Sequence, residues 1–276
     1  MLKKYNGVET KLIVPAGISE ICDGAFESSK IEEIIMLNNV KKVGDRAFAD
    51  CQYLKKALFD NGVEKIGAEA FAGCTALETV LIPDSVTEVG TAAFSGCTSL
   101  EGVVMSKNTT LVADRTYADC QSLQYVMMSE KTVRIGKDAF RGCCSLDFQQ
   151  LPDCLTTLDD GAFADCSNLR DVITNKELKN ISTKAFSGCS SLMHVFAARG
   201  ITPFNKSVFA ESATPIIVLA PGTDMSHWDK DMSYEFDNWE KAFNKSIFNK
   251  TIRPRFSIKS WFERTFPKRK QKKSKK

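Results

Sequence analysis

The chain repeats one phrase at almost constant spacing. Residues 66–77 read IGAEAFAGCTAL, and residues 89–100 return as VGTAAFSGCTSL. A central aromatic residue marks nine such units, at equal intervals except that the first interval is one position shorter: Phe26, Phe48, Phe71, Phe94, Tyr117, Phe140, Phe163, Phe186 and Phe209. A period of this kind predicts a solenoid, in which each coil completes its core only against its neighbours.

Each unit keeps its other apolar positions as well. An aliphatic residue lies five positions before the aromatic one, and Leu lies six positions after it in seven units. A β-rich segment follows, such as LETVLIP at residues 77–83, whose Leu-x-x-Val-x-Ile spacing predicts a strand. The segment around the aromatic residue is opened by Gly or Asp, which predicts a turn or a single helical turn on the opposite side.

These residues resemble the BspA-type leucine-rich repeat, whose pattern is Ile-Gly-x-x-Ala-Phe-x-x-Cys-x-x-Leu, from about Tyr5 to Ala220. The resemblance implies an α/β leucine-rich-repeat solenoid of about nine repeats over residues 1–220. This fold is right-handed, with a parallel β-sheet on one face and short turns or helical turns on the other. The resemblance also implies a binding or adhesion role at the cell surface. Ser29 and Pro215 replace the usual Cys and Leu in the first and last units, as is expected of capping repeats.

Seven cysteines occupy one position per coil, three residues after the aromatic one: Cys51, Cys74, Cys97, Cys120, Cys143, Cys166 and Cys189. Stacking places them about 5 Å apart, which permits disulfides sterically. An odd-numbered line of small buried residues favours reduced thiols that pack as hydrophobes, with a few disulfides or a metal site near Cys144 and Cys154 as the alternatives. A line of thiols does not converge on a tetrahedral metal, so no metal or cofactor is predicted.

The strand segments also predict a binding face, because side chains two apart share one side of a strand. The position ten residues after the aromatic one, or nine in the first unit, points outward and is apolar in eight of nine units, from Ile35 to Leu219, which predicts an apolar stripe about 40 Å long. Gln149 falls at an inward position and predicts a local bulge there. Coverage by the C-terminal segment, self-association and the absence of any role are the alternatives. The predicted partner-binding residues are Leu58, Leu81, Val104, Tyr125, Met127, Phe148, Ile173, His194 and Phe196.

The periodic region ends at Pro221-Gly222. From about Ser233, the spacing of Phe236, Trp239, Phe243 and Ile247 follows the period of an amphipathic helix. Residues 221–250 are therefore predicted to form a C-terminal helical cap, because the exposed last coil of a solenoid needs cover. A helix that docks a partner is the alternative.

Residues 251–276 form a basic tail that contains aromatic residues and is predicted to be disordered at its end. From Asn249 onward, twelve Lys or Arg and one Glu give +11, so residues 1–248 carry −8 of the chain's net +3. Such a tail can bind an anionic membrane or nucleic acid, serve as a nuclear address, or only aid solubility. The candidate residues are Arg253, Arg255, Lys259, Trp261, Arg264, Lys268, Arg269, Lys270, Lys272 and Lys273.

The sequence contains no sign of an enzyme. It has two histidines, His194 and His227, at unrelated places in the repeat, and no phosphate loop, nucleophile elbow or zinc-helix motif. The predicted function is a non-catalytic scaffold that binds a protein or peptide on its open sheet face; binding through the basic tail is the alternative. The absence of a signal peptide and of a membrane-length apolar run predicts a cytoplasmic protein, while the family resemblance favours the cell surface for an exported form.

Overall fold

The computed structural model describes residues 1–219 and 222–236, in which nineteen strands of two to four residues and one 3-10 helix form a stack of coils. Each coil contributes one long strand to one face and, in most units, a two-residue strand to another. The long strands are β1 (Lys11–Ile13), β3 (Glu33–Met36), β5 (Lys56–Phe59), β7 (Thr79–Leu81), β9 (Gly102–Val104), β11 (Tyr125–Met127), β13 (Phe148–Gln150), β15 (Asp171–Ile173), β17 (His194–Phe196), β18 (Ile216–Leu219) and β19 (Ser233–Phe236). The short strands are β2 (Glu20–Ile21), β4 (Lys42–Val43), β6 (Lys65–Ile66), β8 (Glu88–Val89), β10 (Leu111–Val112), β12 (Arg134–Ile135), β14 (Thr157–Leu158) and β16 (Asn180–Ile181).

All strand pairs are parallel, and within each sheet a strand pairs with the equivalent strand of the neighbouring coil. The long strands form two sheets, in the orders β1-β3-β5-β7-β9-β11 and β13-β15-β17-β18-β19. The short strands form two more, β2-β4-β6-β8 and β10-β12-β14-β16. The segments around the aromatic residues add a third set of bonds between coils, since Phe48 N donates to Ala70 O and Phe71 N donates to Ala93 O, both at 2.7 Å. The predicted solenoid with a parallel sheet on one face is confirmed.

Of the two predicted forms of the segment opposite the sheet, the structure has turns and not helical turns, and the α/β class is wrong over the described residues. The described residues contain no α-helix, and their one helical segment is the 3-10 helix Lys206–Phe209. The reason lies two residues before and two residues after the aromatic position in the first eight units, where the backbone is left-handed: φ is 54° at Arg46 and 58° at Asp50, around Phe48. A right-handed helix cannot include such residues, so the segment forms a tight turn.

Asp or Gly occupies the left-handed position after the aromatic residue in seven coils, and an Asp lies against the Gly of the next coil in three of them. Gly142 has a φ of +72°, and a Cβ built on it would lie 2.7 Å from Oδ1 of Asp119 in the preceding coil. Asp50 lies over Gly73 in the same way. The carboxylate of one coil therefore occupies the space that a side chain in the next coil would need.

The aromatic residues form a continuous column through the core. Neighbouring ring centroids are 4.7 to 5.9 Å apart and the rings are nearly parallel. Tyr5, which lies before the first complete repeat, extends the column by stacking on Phe26 at 4.8 Å. The nine central rings are at most 6% exposed, and this column is the main apolar core of the coils.

The cysteine position has a specific bonding role in each coil. The Sγ of Cys97 donates to the carbonyl oxygen of Phe71 at 3.2 Å, and the six other cysteines at this position bond equivalent carbonyls at 3.0 to 3.2 Å. In the last unit Ser212 replaces the cysteine, and its Oγ donates to Phe186 O. The residue is therefore a small buried donor for a carbonyl one coil away. All ten cysteines are free thiols in the structure.

Strand, and not the predicted helical cap, follows the last repeat over the described residues. β19 begins at Ser233, where the helix was predicted to begin, and pairs with β18 so that Ile217 lies opposite Tyr234. The open edge of β18 offers hydrogen bonds to a segment that contains β-favouring aromatic residues, and this pairing overrides the helical spacing. Trp239, Phe243 and Ile247 lie outside the described residues.

The end of the aromatic column is covered by rings in edge-on contact. Phe204 meets Phe209 at 5.9 Å and 77°, and Trp228 meets Phe204 at 5.7 Å and 80°. Trp228 is 7% exposed, and Tyr234 of β19 contacts it in turn at 5.7 Å. This cluster takes the capping role that the sequence assigned to a helix.

Candidate open-face binding site

One row of outward side chains runs along the first long sheet. We call it the apolar row; it consists of Ile13, Ile35, Leu58, Leu81, Val104 and Met127. The pairing registers place Ile13 beside Ile35, Ile35 beside Leu58, and Leu81 beside Val104, which is beside Met127. Ile13 is 58% exposed, Leu58 36% and Met127 42%, while the other three are half-buried. The row is therefore an aligned apolar surface open to solvent.

Ile13 was missed by the sequence reasoning, although a signal for it was present. Its separation from Ile35 along the chain equals that between Phe26 and Phe48, the first two aromatic residues, and it follows Leu12 in a short alternating segment. Ile13 belongs to a partial coil before the first complete unit, and a pattern defined from complete units does not include it. The structure also brings Ile35, which was assigned to the predicted stripe, into the row.

Tyr125 lies on the same face, folded over the neighbouring strand. A Cβ built on Gly102 would lie 2.3 Å from Cζ of Tyr125, so the ring occupies the space above that glycine. Gly102 and Tyr125 are register partners in β9 and β11. Burial raises the pKa of the Tyr125 hydroxyl, and the negative charge of Glu101 raises it further. Tyr125 therefore covers Gly102 and places an aromatic ring on this face.

The sheet that carries the apolar row ends at β11. β11 and β13 are not paired, whereas β11 pairs with β9 before it and β13 pairs with β15 after it. Gln149 of β13 occupies the inward position that Val126 fills one coil earlier and is 4% exposed. Its Nε2 donates to Gln150 O at 2.6 Å, and its Oε1 has no hydrogen-bond partner within the described residues. The irregularity predicted at Gln149 is thus a break between sheets and not a bulge.

A shallow cleft opens at this break. It has a volume of about 210 Å³ and is lined by Met128, Glu130, Gln150, Leu151, Pro152 and Asp153. The second long sheet begins on its far side. The single continuous stripe that the sequence predicted is therefore interrupted after Met127, on the sixth strand of the first sheet.

The remaining predicted site residues lie on the second long sheet, in a more enclosed and more polar setting. Phe148, His194 and Phe196 are half-buried, and His194 Nδ1 lies 2.8 Å from Asp171 Oδ1. Ile173 is only 3% exposed, so the expectation that it faces solvent is wrong. These residues do not continue the exposed row of the first sheet.

The last outward position was also assigned one residue too late. Phe196 pairs with Val218, because the connection from β17 to β18 is one residue shorter than the usual repeat, and Leu219 therefore points inward. Both residues are buried, at 4% and 1% exposure. Neither contributes to an open surface.

The described residues include no group of three or more His, Cys, Asp or Glu placed to hold a metal ion. The part of the chain that the structure describes also contains no helix with the length and apolarity that a membrane crossing requires. The predicted basic-tail residues, from Arg253 to Lys273, lie outside the described ranges.

The coil length, the in-register sheet and the position of the cysteines are those of one repeat family. The model of the BspA type leucine rich repeat region matches residues 6–101 and 87–216, in six copies. The chain belongs to the BspA-type leucine-rich repeat family. This BspA-type solenoid is similar to two solved structures. It is 21% identical to a leucine rich cell surface protein from Faecalibacterium prausnitzii, over 88% of this chain and 91% of that one, with a TM-score of 0.50.

The second similar structure is a leucine-rich repeat protein of T. pallidum, 25% identical over 69% of this chain and 81% of that chain, with a TM-score of 0.51. A comparison with curated proteins found no match. The family match and these neighbours show that the chain has the leucine-rich-repeat fold.

Proposed function

We propose that this BspA-type solenoid is a non-catalytic scaffold that binds a protein or peptide partner across the apolar row. The observation that carries the proposal is the alignment of six apolar side chains on one exposed strip of sheet. Apolar side chains that serve only the fold belong in the interior, where the aromatic column already supplies the core. A contiguous apolar surface of this kind commonly marks an interaction site.

The rest of the face suits the same role. Tyr125 and Met127 lie at one end of the row, and aromatic and Met side chains are favoured at the centres of interfaces. The row lies on hydrogen-bonded strands whose backbone is already ordered, so partner binding would lose little backbone conformational entropy. The Faecalibacterium neighbour is described as a cell surface protein, which favours an adhesion-like role if this chain is exported.

Replacing Leu81, Val104 and Met127 together with serine is expected to weaken partner binding by about 100-fold, since truncating an anchor at an interface centre costs about 1 kcal/mol or more. We expect the melting temperature to change little, because none of the three side chains is fully buried. The measurement is capture on the immobilised full-length chain, followed by titration of the purified captured protein.

The matched control is the triple variant L111S/V133S/M193S, which removes exposed apolar side chains of similar size away from the row. It should bind as the wild type does. Equal losses in both triple variants would contradict the proposal, and a large loss of stability in the first would place the row in the core.

The basic tail supports a second candidate, peripheral binding to an anionic membrane or to nucleic acid. Its support is the charge of +11 from residue 249 to 276, with Trp261 and Phe262 among the basic residues. The full chain is expected to co-sediment with phosphatidylserine vesicles or bind duplex DNA at low salt, and to release them as salt rises. A chain without residues 249–276 should lose this binding and keep the partner of the apolar row; indifference to vesicles and DNA would remove this candidate.

A further inference from the structure

We propose that the occupant of the apolar row is an amphipathic α-helix of about four to five turns, lying along the solenoid axis and carrying basic residues on one side. The inference rests on the proposed function, since it identifies the class of partner for the same surface. Spacing, width, length and charge each contribute to it.

The spacing of the row matches a helix better than an extended chain. Strands in a sheet are about 4.8 Å apart, so the six side chains of the row span about 24 Å. Apolar residues on one side of a helix recur every three or four positions, a mean rise of about 5.3 Å. Same-side residues of an extended strand are about 6.7 Å apart. Over the five intervals of the row, the mismatch between the row and the partner's same-side residues accumulates to about 2 Å for a helix and about 10 Å for an extended strand.

The width of the face also favours a single helix. Strands β7, β9 and β11 have three residues each, and only two of the three point outward. Beside the row lie Lys11, Glu33, Lys56 and Thr79, which are charged or polar. A second sheet would need a broader apolar surface than this strip, whereas the apolar side of one helix is covered by it.

The break in the sheet sets the length of the partner. The next outward residue after Met127 is Gln150, which is polar and exposed, and it belongs to the separate second sheet. The row therefore ends at Met127. A helix rises about 1.5 Å per residue, so about 16 residues span the row.

The charges beside the centre of the row call for a basic partner. Glu78 and Glu101 are exposed at the corners where β7 and β9 begin, each three residues before its row residue, Leu81 or Val104. Neither forms an ion pair within the described residues, whereas Glu33 is paired with Lys11 at 3.3 Å. Lys56 beside the row has no ion pair there either, so the three unpaired groups, two Glu and one Lys, leave a net charge of −1. Acidic side chains at the rim of an apolar strip complement Lys or Arg on the partner, which increases the association rate and fixes the orientation.

The test is selection from a display library of random peptides, each about 18 residues long so that a helix can span the row, on the immobilised full-length protein. Counter-selection uses the L81S/V104S/M127S variant. We expect enriched peptides with apolar residues at i, i+3, i+4 and i+7 and basic residues on one side. Enrichment of alternating, strand-like or unpatterned sequences would overturn the helix and leave the proposed function standing. No face-dependent enrichment would overturn both.

A synthetic consensus peptide then tests the geometry by fluorescence anisotropy. A proline at its centre should weaken binding by about 100-fold, since proline breaks a helix interior. The E78K/E101K variant should weaken binding by about tenfold at low salt and by much less at high salt. Binding that survives the proline overturns the helix, and binding unchanged by E78K/E101K overturns the basic side.

Discussion

Replacing Phe94 with alanine is expected to lower the free energy of unfolding by about 3 to 5 kcal/mol. Phe94 is fully buried, and its ring lies 5.2 Å from that of Phe71 and 5.6 Å from that of Tyr117. A coil in a solenoid closes its core only against its neighbours, so a cavity here weakens two coil interfaces at once. The measurement is urea unfolding followed by far-ultraviolet circular dichroism.

The matched control for this variant is Leu58→Ala. Leu58 is 36% exposed on the open face, so its truncation removes an apolar side chain without leaving a cavity and should cost less than about 1 kcal/mol. A cost for F94A as small as that for L58A would show that the aromatic column is not the main core. Equal large costs would show that the open face is buried in solution.

The buried cysteines are expected to make the protein sensitive to alkali. Burial raises the pKa of the Cys97 thiol from 9.0 to about 12, and that of Cys189 to about 12 as well. Between pH 9 and 12 the unfolded thiol is ionised while the folded one is not, so stability present below pH 9 is lost as pH rises. For Cys97 alone the loss should reach about 2 kcal/mol by pH 10.5.

Cys97→Ser isolates this contribution. Serine does not ionise in this range, and Ser212 shows that a hydroxyl at this position can donate to the carbonyl one coil away. The unfolding free energy of C97S should therefore fall less than that of the wild type between pH 8 and pH 10.5, whatever its stability at pH 8. The exposed Cys154→Ser variant should follow the wild-type profile. A parallel decline in all three proteins would refute a buried protonated thiol at Cys97.

Much of the fold could be predicted, because in a repeat protein the structural role of one position applies to the equivalent position in every coil. Once Phe71 and Phe94 are recognised as equivalent, the coil length and the stacking follow, and Val80 and Ile82 become inward by alternation. For the segment around the aromatic residue the sequence left a turn and a single helical turn as alternatives, and the structure has the turn. The left-handed backbone at Arg46 and similar residues carries no clear signal in the residue type.

The binding face could be predicted only in part. Outward direction follows from alternation, but exposure depends on what lies beside a strand. Leu58 and Met127 are exposed while Ile173, at the same repeat position, is buried. The loss of one residue before β18 shifts the outward position to Val218, and single-residue changes of this kind reverse the two sides of a strand.

The sequence by itself determined the size of the coil, the stacking of equivalent residues and the identity of the core, because equal repeats can bury their apolar side chains only by lying in register. Tertiary structure alone decided where the long sheet breaks, that Tyr125 folds over Gly102, that a strand follows the last repeat, and which carbonyl each cysteine bonds. The physical reason is that these features depend on contacts between particular neighbouring coils, whereas the period describes only what the coils have in common.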